Sequence, residues 1–363
     1  MPGSIFGTLF RISTWGESHG NGVGVVVDGC PAGLKLAERD IQLELNKRRP
    51  GQNKYASPRK ENDKVEILSG VFEGLTLGTP ISMIVKNTDQ RPRDYTNIKD
   101  VYRPGHADYT FDQKYGFRDY RGGGRSSARE TIGRVAAGAI AKKILAEFGI
   151  KLLGYTRSVG PYSVDMSQFD VEEINENLFR MPDAACAELT STFVDGIIKD
   201  GNSIGGTIEC RVTGVPAGLG ETVFDKLDAN LAKGVMSIPA IKSVEIGAGV
   251  EVASRKGFDN NDFAHYEGDQ IIKDSNNGGG IYGGMSDGSP IIVRAAVKPT
   301  ASIHIEQPSI SATGKNIEVM IEGRHDPVIV PRAVTILEAM TALVLVDALM
   351  INMTAKMDYL KKI

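Results

Sequence analysis

Parts of this chain occur twice in the same order, and that repetition constrains the fold more than any other feature. Gly20-Asn21-x-x-Gly24, a strand-like run and Gly29-Cys-Pro-Ala-Gly-Leu34 return as Gly201-Asn202-x-x-Gly205, a second strand-like run and Gly214-Val-Pro-Ala-Gly-Leu219. Each copy then enters a helical pattern, over 37–48 and over 221–233. Gly78-Thr-Pro-Ile-Ser-Met-Ile-Val85 returns as Gly288-Ser-Pro-Ile-Ile-Val293. A helix expected from Ser126 or Ser127 has its counterpart in one from Pro331, where the fixed φ of proline suits the first helical position. A unit repeated in order predicts one pseudo-symmetric domain over 1–363, with repeats of about 1–150 and 200–355. In this reading the two long Ala/Val/Leu-rich helices pair at the centre and the sheets lie outside them. Gly-Pro turns between neighbouring strands favour antiparallel pairing. The expected class is therefore α+β, a β-α-β sandwich with a central helical layer between antiparallel sheets.

Local patterns fill in this frame. Strands are predicted over 5–12, 22–28, 65–72 and 81–87, with polar loops at 13–20 and 52–64. From Thr88 to Gly124 there is little period but many Arg, Asp, Tyr and His residues, which marks a mobile or functional stretch. Val334 to Met353 is strongly apolar, but Glu338 and Asp347 interrupt it, so a buried helix is expected rather than a membrane span. The formal net charge of −3 supplies no general basic field for nucleic acid or a membrane surface. Cys30, Cys186 and Cys210 form no CxxC and no metal-ligand spacing, which suits a reducing cytosol and predicts neither disulfides nor a metal site. The first residues lack a signal-peptide pattern, so a cytoplasmic location is expected.

Chemistry concentrates in Arg118-Asp-Tyr-Arg-Gly-Gly-Gly-Arg-Ser-Ser-Ala-Arg-Glu-Thr131. Three glycines leave the backbone free to take φ > 0 and to press against a ligand. Ser127 and Glu130 have capping-box spacing, and a helix is predicted from there to Phe148. A glycine turn feeding a helix N-terminus presents unpaired N–H groups to an anion. Arg118, Arg121, Arg125, Arg129 and Arg134 crowd the same place and would repel one another, so an anionic ligand is the expected reason to gather them. The plainer alternative is a solvated basic turn.

Histidines supply candidate proton donors. His19 sits in Trp15-Gly-Glu-Ser-His-Gly20, a loop between strands, and His106 in Arg103-Pro-Gly-His-Ala-Asp108. His325 lies in Gly323-Arg-His-Asp-Pro327 before the last long helix, where Asp326 could simply cap that helix. Two histidines and one carboxylate make an acid/acid/base set. Asn276 to Gly288 and Lys298-Pro-Thr-Ala-Ser302 also look ligand-facing, the second placing a cation and two hydroxyls at a strand end. No GxSxG, HExxH or Walker A sequence is present. Residues alone point to an enzyme acting on a phosphorylated, multiply anionic small molecule. A flavin-independent lyase or phosphatase, and a phosphate- or nucleic-acid-binding module, stand as alternatives.

Thr14-Trp-Gly-Glu-Ser-His-Gly, the His106 motif, Asp119 to Thr131, Lys298-Pro-Thr-Ala-Ser-Ile and Gly323-Arg-His-Asp-Pro together resemble the chorismate synthase family, nearly end to end. The resemblance implies anti-1,4-elimination of phosphate and a ring hydrogen from 5-enolpyruvylshikimate 3-phosphate, with reduced FMN required, by a homotetramer. It implies a helical layer between antiparallel sheets and no nucleic-acid or membrane partner. Arg48, Arg49, Lys54, Arg129 and Arg134 would hold the anionic groups of the substrate. Arg48, Lys54, Arg125, Ser126, Ser127, Ala240, Gly283, Lys298, Pro299, Thr300, Ala301, Ser302 and Arg324 would hold cofactor. His19 and His106 would be the acids, one for the departing phosphate and one for the flavin, and Asp326 would act with flavin N5 on the ring proton. The compact length resembles the form that relies on external flavin reduction rather than on its own NADP-linked activity. Lys54 and Asp287 depart from the family's usual residues, the first losing a bidentate guanidinium.

Overall fold

The computed structural model describes residues 3–51, 54–55, 61–88, 99–121, 123–321 and 326–361. Its first large sheet sets Ile5–Phe6, Arg11–Gly16, Gly22–Asp28, Ile81–Lys86 and Val65–Ile67 side by side, every pair antiparallel. The second sets Tyr162–Ser163, Lys151–Val159, Gly206–Thr213, Ile291–Val297 and Ile241–Ile246 in the same manner. The strand pair Gly22–Asp28 with Ile81–Lys86 thus has a counterpart in Gly206–Thr213 with Ile291–Val297. Alternate residues of the last strand (Ile291, Val293, Ala295, Val297) are buried, as the two-residue period of a strand requires.

Two helices occupy the core. The first, Thr131–Glu147, packs on the first sheet, the second, Val330–Asn352, packs on the second sheet, and the two pack on each other. They cross in near backbone contact. A Cβ added to Gly138 would lie 2.5 Å from Ala339 Cβ and 2.7 Å from its Cα, so any larger residue would force them apart.

The second core helix is long and apolar enough to cross a membrane by length and composition, yet it is largely buried inside the fold. Its two acidic interruptions have structural partners. Glu338 accepts the Gly154 N–H at 2.6 Å and Lys142 Nζ at 2.7 Å, and Lys142 also reaches Glu44 at 2.7 Å. Asp347 accepts the N–H groups of Thr8, Leu9 and Phe10 at 2.8, 2.7 and 2.9 Å. That contact turns the chain and splits the expected 5–12 strand in two.

Other boundaries differ from expectation for local reasons. Val65–Phe72 is two short strands, Val65–Ile67 and Val71–Phe72, separated by Gly70. The helix predicted from Ser126 or Ser127 begins regular α-geometry only at Thr131. Two 3₁₀ turns, Gly124–Ser126 and Ala128–Glu130, precede it, and Ser127 caps the second by accepting the Arg129 N–H at 3.3 Å. The helix expected over 221–233 runs Leu227–Met236, because the Leu227 N–H is drawn to Gly284 O at 2.8 Å. The stretch after Thr88, read as irregular, contains the helix Asp108–Tyr115.

Candidate active site

The glycine turn lies beside the loops of both candidate acids. The His106 ring stands against Gly123, where an added Cβ would meet Cε1 at 2.9 Å and Nε2 at 3.3 Å. Gly123 takes φ +88, so its lack of a side chain is required twice over, by conformation and by space. The Glu17–Gly20 loop approaches Gly124, with Glu17 Cγ 3.9 Å from a Cβ placed there. His19 is buried in this loop, its Nδ1 3.1 Å from Ser18 Oγ. Ser18 Oγ in turn donates to Arg121 O at 3.4 Å. Burial works to raise the Asp119 carboxyl, but Arg121, with a smaller contribution from His19, holds it below its ordinary value.

His106 is fixed from behind. Its Nδ1 is 3.1 Å from Asp108 Oδ1 and 3.0 Å from Arg103 Nη2. Burial would raise the Asp108 carboxyl, yet Arg103 and His106 outweigh it and hold it well below the usual carboxylate range. The second half of the chain joins at this point. Lys298 Nζ donates to Gly105 O at 3.0 Å, and Ala301 Cβ lies 3.3 Å from a Cβ placed on Gly105. Lys298 N–H donates to Ala240 O at 2.9 Å, and Ala240 itself sits at φ +70, a left-handed conformation costly for alanine. Burial, helped by Lys242, lowers the pKa of Lys298. Ser302 is buried, Pro299 is exposed, and Thr300 O accepts from Ser203 Oγ at 2.7 Å.

A second, closed cluster stands at the start of the first core helix. Asp63, buried and at φ +44, accepts Arg48 Nη1 and Arg129 Nη1, each at 2.9 Å. Arg48 also donates to Thr131 Oγ1 at 3.2 Å and Ala128 O at 3.0 Å, and Arg129 Nε donates to Asn87 Oδ1. Burial, opposed by Asp63 and reinforced by the guanidiniums of Arg332 and Arg129, pulls Arg48 down to about 9, still protonated at neutral pH. Arg332 ties Asp326 to this cluster, donating to Asp326 Oδ2 at 2.6 Å and to Arg48 O at 3.1 Å. Asp326 does not cap the second core helix, whose N-cap Ile329 has no side-chain bond; it pairs with that helix through Arg332.

The glycine-turn arginines are not gathered by a ligand alone. Arg118 pairs with Asp112, Arg121 with Asp119, Arg129 with Asp63, and Arg134 with Glu130. Their mutual repulsion is relieved by carboxylates of the chain itself. Arg125 instead donates to Thr14 Oγ1 at 2.7 Å and to the carbonyls of Thr14 and Gly16 at 3.2 Å. Ser126 Oγ donates to Gly123 O at 2.7 Å, and Arg134 Nη1 reaches Ser237 Oγ at 2.6 Å, near Ala240.

Two expected residues, Gly283 and Lys54, fall elsewhere. Gly283 lies in the hairpin beside Gly284, whose carbonyl receives the Leu227 N–H at the start of the Leu227–Met236 helix. Ala240 follows the other end of that helix, so its length of about 15 Å separates the two positions. Lys54 is largely exposed and holds Asp195 on the Ala184–Lys199 helix at 3.0 Å. Arg49 follows the Glu38–Arg48 helix, half-buried, and Arg324 lies outside the described residues, as does His325. Asp287 is balanced by Lys273, to which it is directly bonded. Sequence reading missed Asp63, Asp108 and Arg332. Asp108 was within reach, two residues from His106 in one motif, whereas nothing local marks Asp63.

Known proteins resemble this chain along nearly its whole length. The family model described as chorismate synthase matches residues 10–350. Chorismate synthase of Agathobacter rectalis is 57% identical over 358 residues, covering 99% of this chain and 98% of that protein. That of Lachnospira eligens is 58% identical over 362 residues, covering 100% and 99%. A crystal structure of chorismate synthase superposes with a TM-score of 0.78 at 35% identity, covering 98% of this chain and 96% of that one. The chain belongs to the chorismate synthase family.

Proposed function

We propose that this chain eliminates phosphate and the C6 proton from 5-enolpyruvylshikimate 3-phosphate to give chorismate, with reduced FMN bound. The observation that carries the reading is the convergence, at one glycine turn, of both candidate acids with Lys298 from the other half of the chain. His106 is the acid whose Nε2 edge is turned toward Gly123, and His19 is a second acid in the neighbouring loop. A positioned acid contributes roughly 10²–10⁴-fold in rate. Arg134 and Arg49 are the half-buried guanidiniums for the substrate's anionic groups, with Arg48 and Arg129 beneath them as a fixed positive floor. Asp326, held by Arg332, is the carboxylate assigned to the ring proton.

The residues fit a phosphorylated flavin. Thr300 Oγ1 is buried without a hydrogen-bond partner, and Lys298 beside it is a cation at the edge of the turn. Lys298 to Ser302, Ala240, Arg125, Ser126 and Ser127 would hold the cofactor in this chain. Reduced flavin held there would supply electron density to a substrate ring that becomes electron-poor as phosphate leaves. Gly283 stands too far away to share that site within one chain, which favours assembly with other copies, as a homotetramer. The chain acts as one pseudo-symmetric domain, a helical layer between antiparallel sheets, in the cytoplasm.

The test is chorismate formation under strict anaerobiosis, with and without dithionite-reduced FMN. Turnover without reduced flavin would replace this reading by a flavin-independent lyase. His106→Ala and His19→Ala are expected to bind substrate yet lose most turnover, and a variant at wild-type rate removes its histidine from the mechanism.

A further inference from the structure

The geometry points to Asp108 as a positioning residue for His106, locking the ring so that Nε2 meets whatever lies over the glycine turn. This rests on the reading of His106 as an acid. Asp108 is the first residue of the Asp108–Tyr115 helix, and its carboxylate is buried. Oδ1 accepts Arg103 Nη2 at 2.7 Å and lies 3.1 Å from His106 Nδ1. Oδ2 accepts Arg103 Nε at 2.7 Å and the Arg103 N–H at 3.1 Å, and Arg118 Nε stands 3.8 Å from Oδ1. A carboxylate clamped on both oxygens cannot swing, so the imidazole edge bonded to it is fixed as well.

The opposite edge is set by what is missing. No side chain at Gly123 intrudes on Cε1 and Nε2, and Ser126 Oγ stands 3.0 Å from where a Cβ would be. Arg103 Nη2 also stands 3.0 Å from Nδ1 but has no acceptor atom, so the carboxylate is the partner for an Nδ1–H. A proton kept on Nδ1 by a buried carboxylate selects which nitrogen exchanges protons with the substrate, the role such an aspartate plays behind other catalytic histidines. Asparagine at 108 would keep the shape, but its amide could donate to Nδ1 and would release Arg103.

The full-chain protein loaded with reduced FMN decides the matter through turnover of Asp108→Asn, His106→Ala and the double variant. His106→Ala should lose about 10²–10⁴-fold in kcat. Asp108→Asn should lose about 10–100-fold in kcat with KM within about two-fold, because it disturbs proton transfer and not binding. The double variant should be no slower than His106→Ala, since one residue acts through the other. If His106→Ala turns over normally, the acid reading falls and the positioning role falls with it. If only Asp108→Asn turns over normally, or the two losses multiply, the positioning role alone is overturned. Should Asp108→Asn fail to fold, ¹⁵N NMR of the histidine-labelled wild-type protein settles the question. A proton on His106 Nδ1 supports the role, and a bare Nδ1 overturns it.

Discussion

Asp63 and Asp108 are buried carboxylates that each gather cations, and the clusters they build differ in one respect. Around Asp63 the arginines are closed in: Arg48 and Arg129 are buried, and each carries further bonds to Thr131, Ala128 or Asn87. Around Asp108 the carboxylate is equally committed, but one of its partners is a histidine whose other edge faces a glycine and remains partly exposed. The same device therefore makes a fixed charge in one place and a directed, proton-bearing group in the other. The lesson concerns pairing. Closed-in cations set a potential, whereas a partly exposed side chain with one committed edge can do chemistry.

The largest expected effect breaks the closed cluster. Asp63→Ala leaves buried Arg48 without its counter-charge and Arg129 with only Glu61, 3.7 Å away, and removing one partner of a buried pair costs about 3–5 kcal/mol. Guanidinium chloride unfolding reads this loss, and a change below about 1 kcal/mol would mean that the cluster is open to water.

Acid tests both kinds of pairing at once. Lys142 and Lys47 outweigh burial and hold Glu44 at about 2, and Asp108 is likewise depressed. A carboxyl depressed in the folded state contributes stability above its unfolded value near 4.5 and loses it as pH falls through the folded one. Unfolding free energy should therefore drop between about pH 4.5 and 2, on the order of 2 kcal/mol for Glu44. Urea titrations across that window check it, and the drop should shrink in Asp108→Asn. An equal drop in that variant would assign the acid loss elsewhere.

Smaller still is the backbone at the open end. Ala240→Gly relieves a left-handed alanine and should stabilise the protein by about 1 kcal/mol, visible as a raised Tm. An unchanged Tm would mean that no strain is held beside Lys298. The smallest effect is expected for Lys54→Ala, whose ion pair with Asp195 is exposed. Its midpoint of unfolding and its KM should match the wild type, and a ten-fold rise in KM would show that Lys54 leaves Asp195 for a ligand.

Much of the scaffold was legible before any coordinates. The strand Gly22–Asp28 falls where its pattern and flanking glycines put it, and the two buried helices follow from an Ala-rich run and from a long apolar run that Glu338 and Asp347 interrupt. The glycine turn, both histidines and the Lys298 motif were legible as well, because each is a short local pattern. Less legible were element boundaries governed by distant partners, such as the turn at Thr8–Phe10 imposed by Asp347.

By itself, then, the amino-acid order determined which segments could become strands and helices, and which residue types could handle protons and phosphate. Those properties depend on periods of two to four residues and on side-chain chemistry. Only the tertiary structure decided how the charges pair. Arg129 meets Asp63 across 66 positions of chain, and Lys298 meets Gly105 across 193. Coulomb attraction and burial act on distance in space, which the chain sets only after its two helices have packed. That is why five neighbouring arginines read as an anion site in sequence, while in the fold four of them have carboxylates of their own.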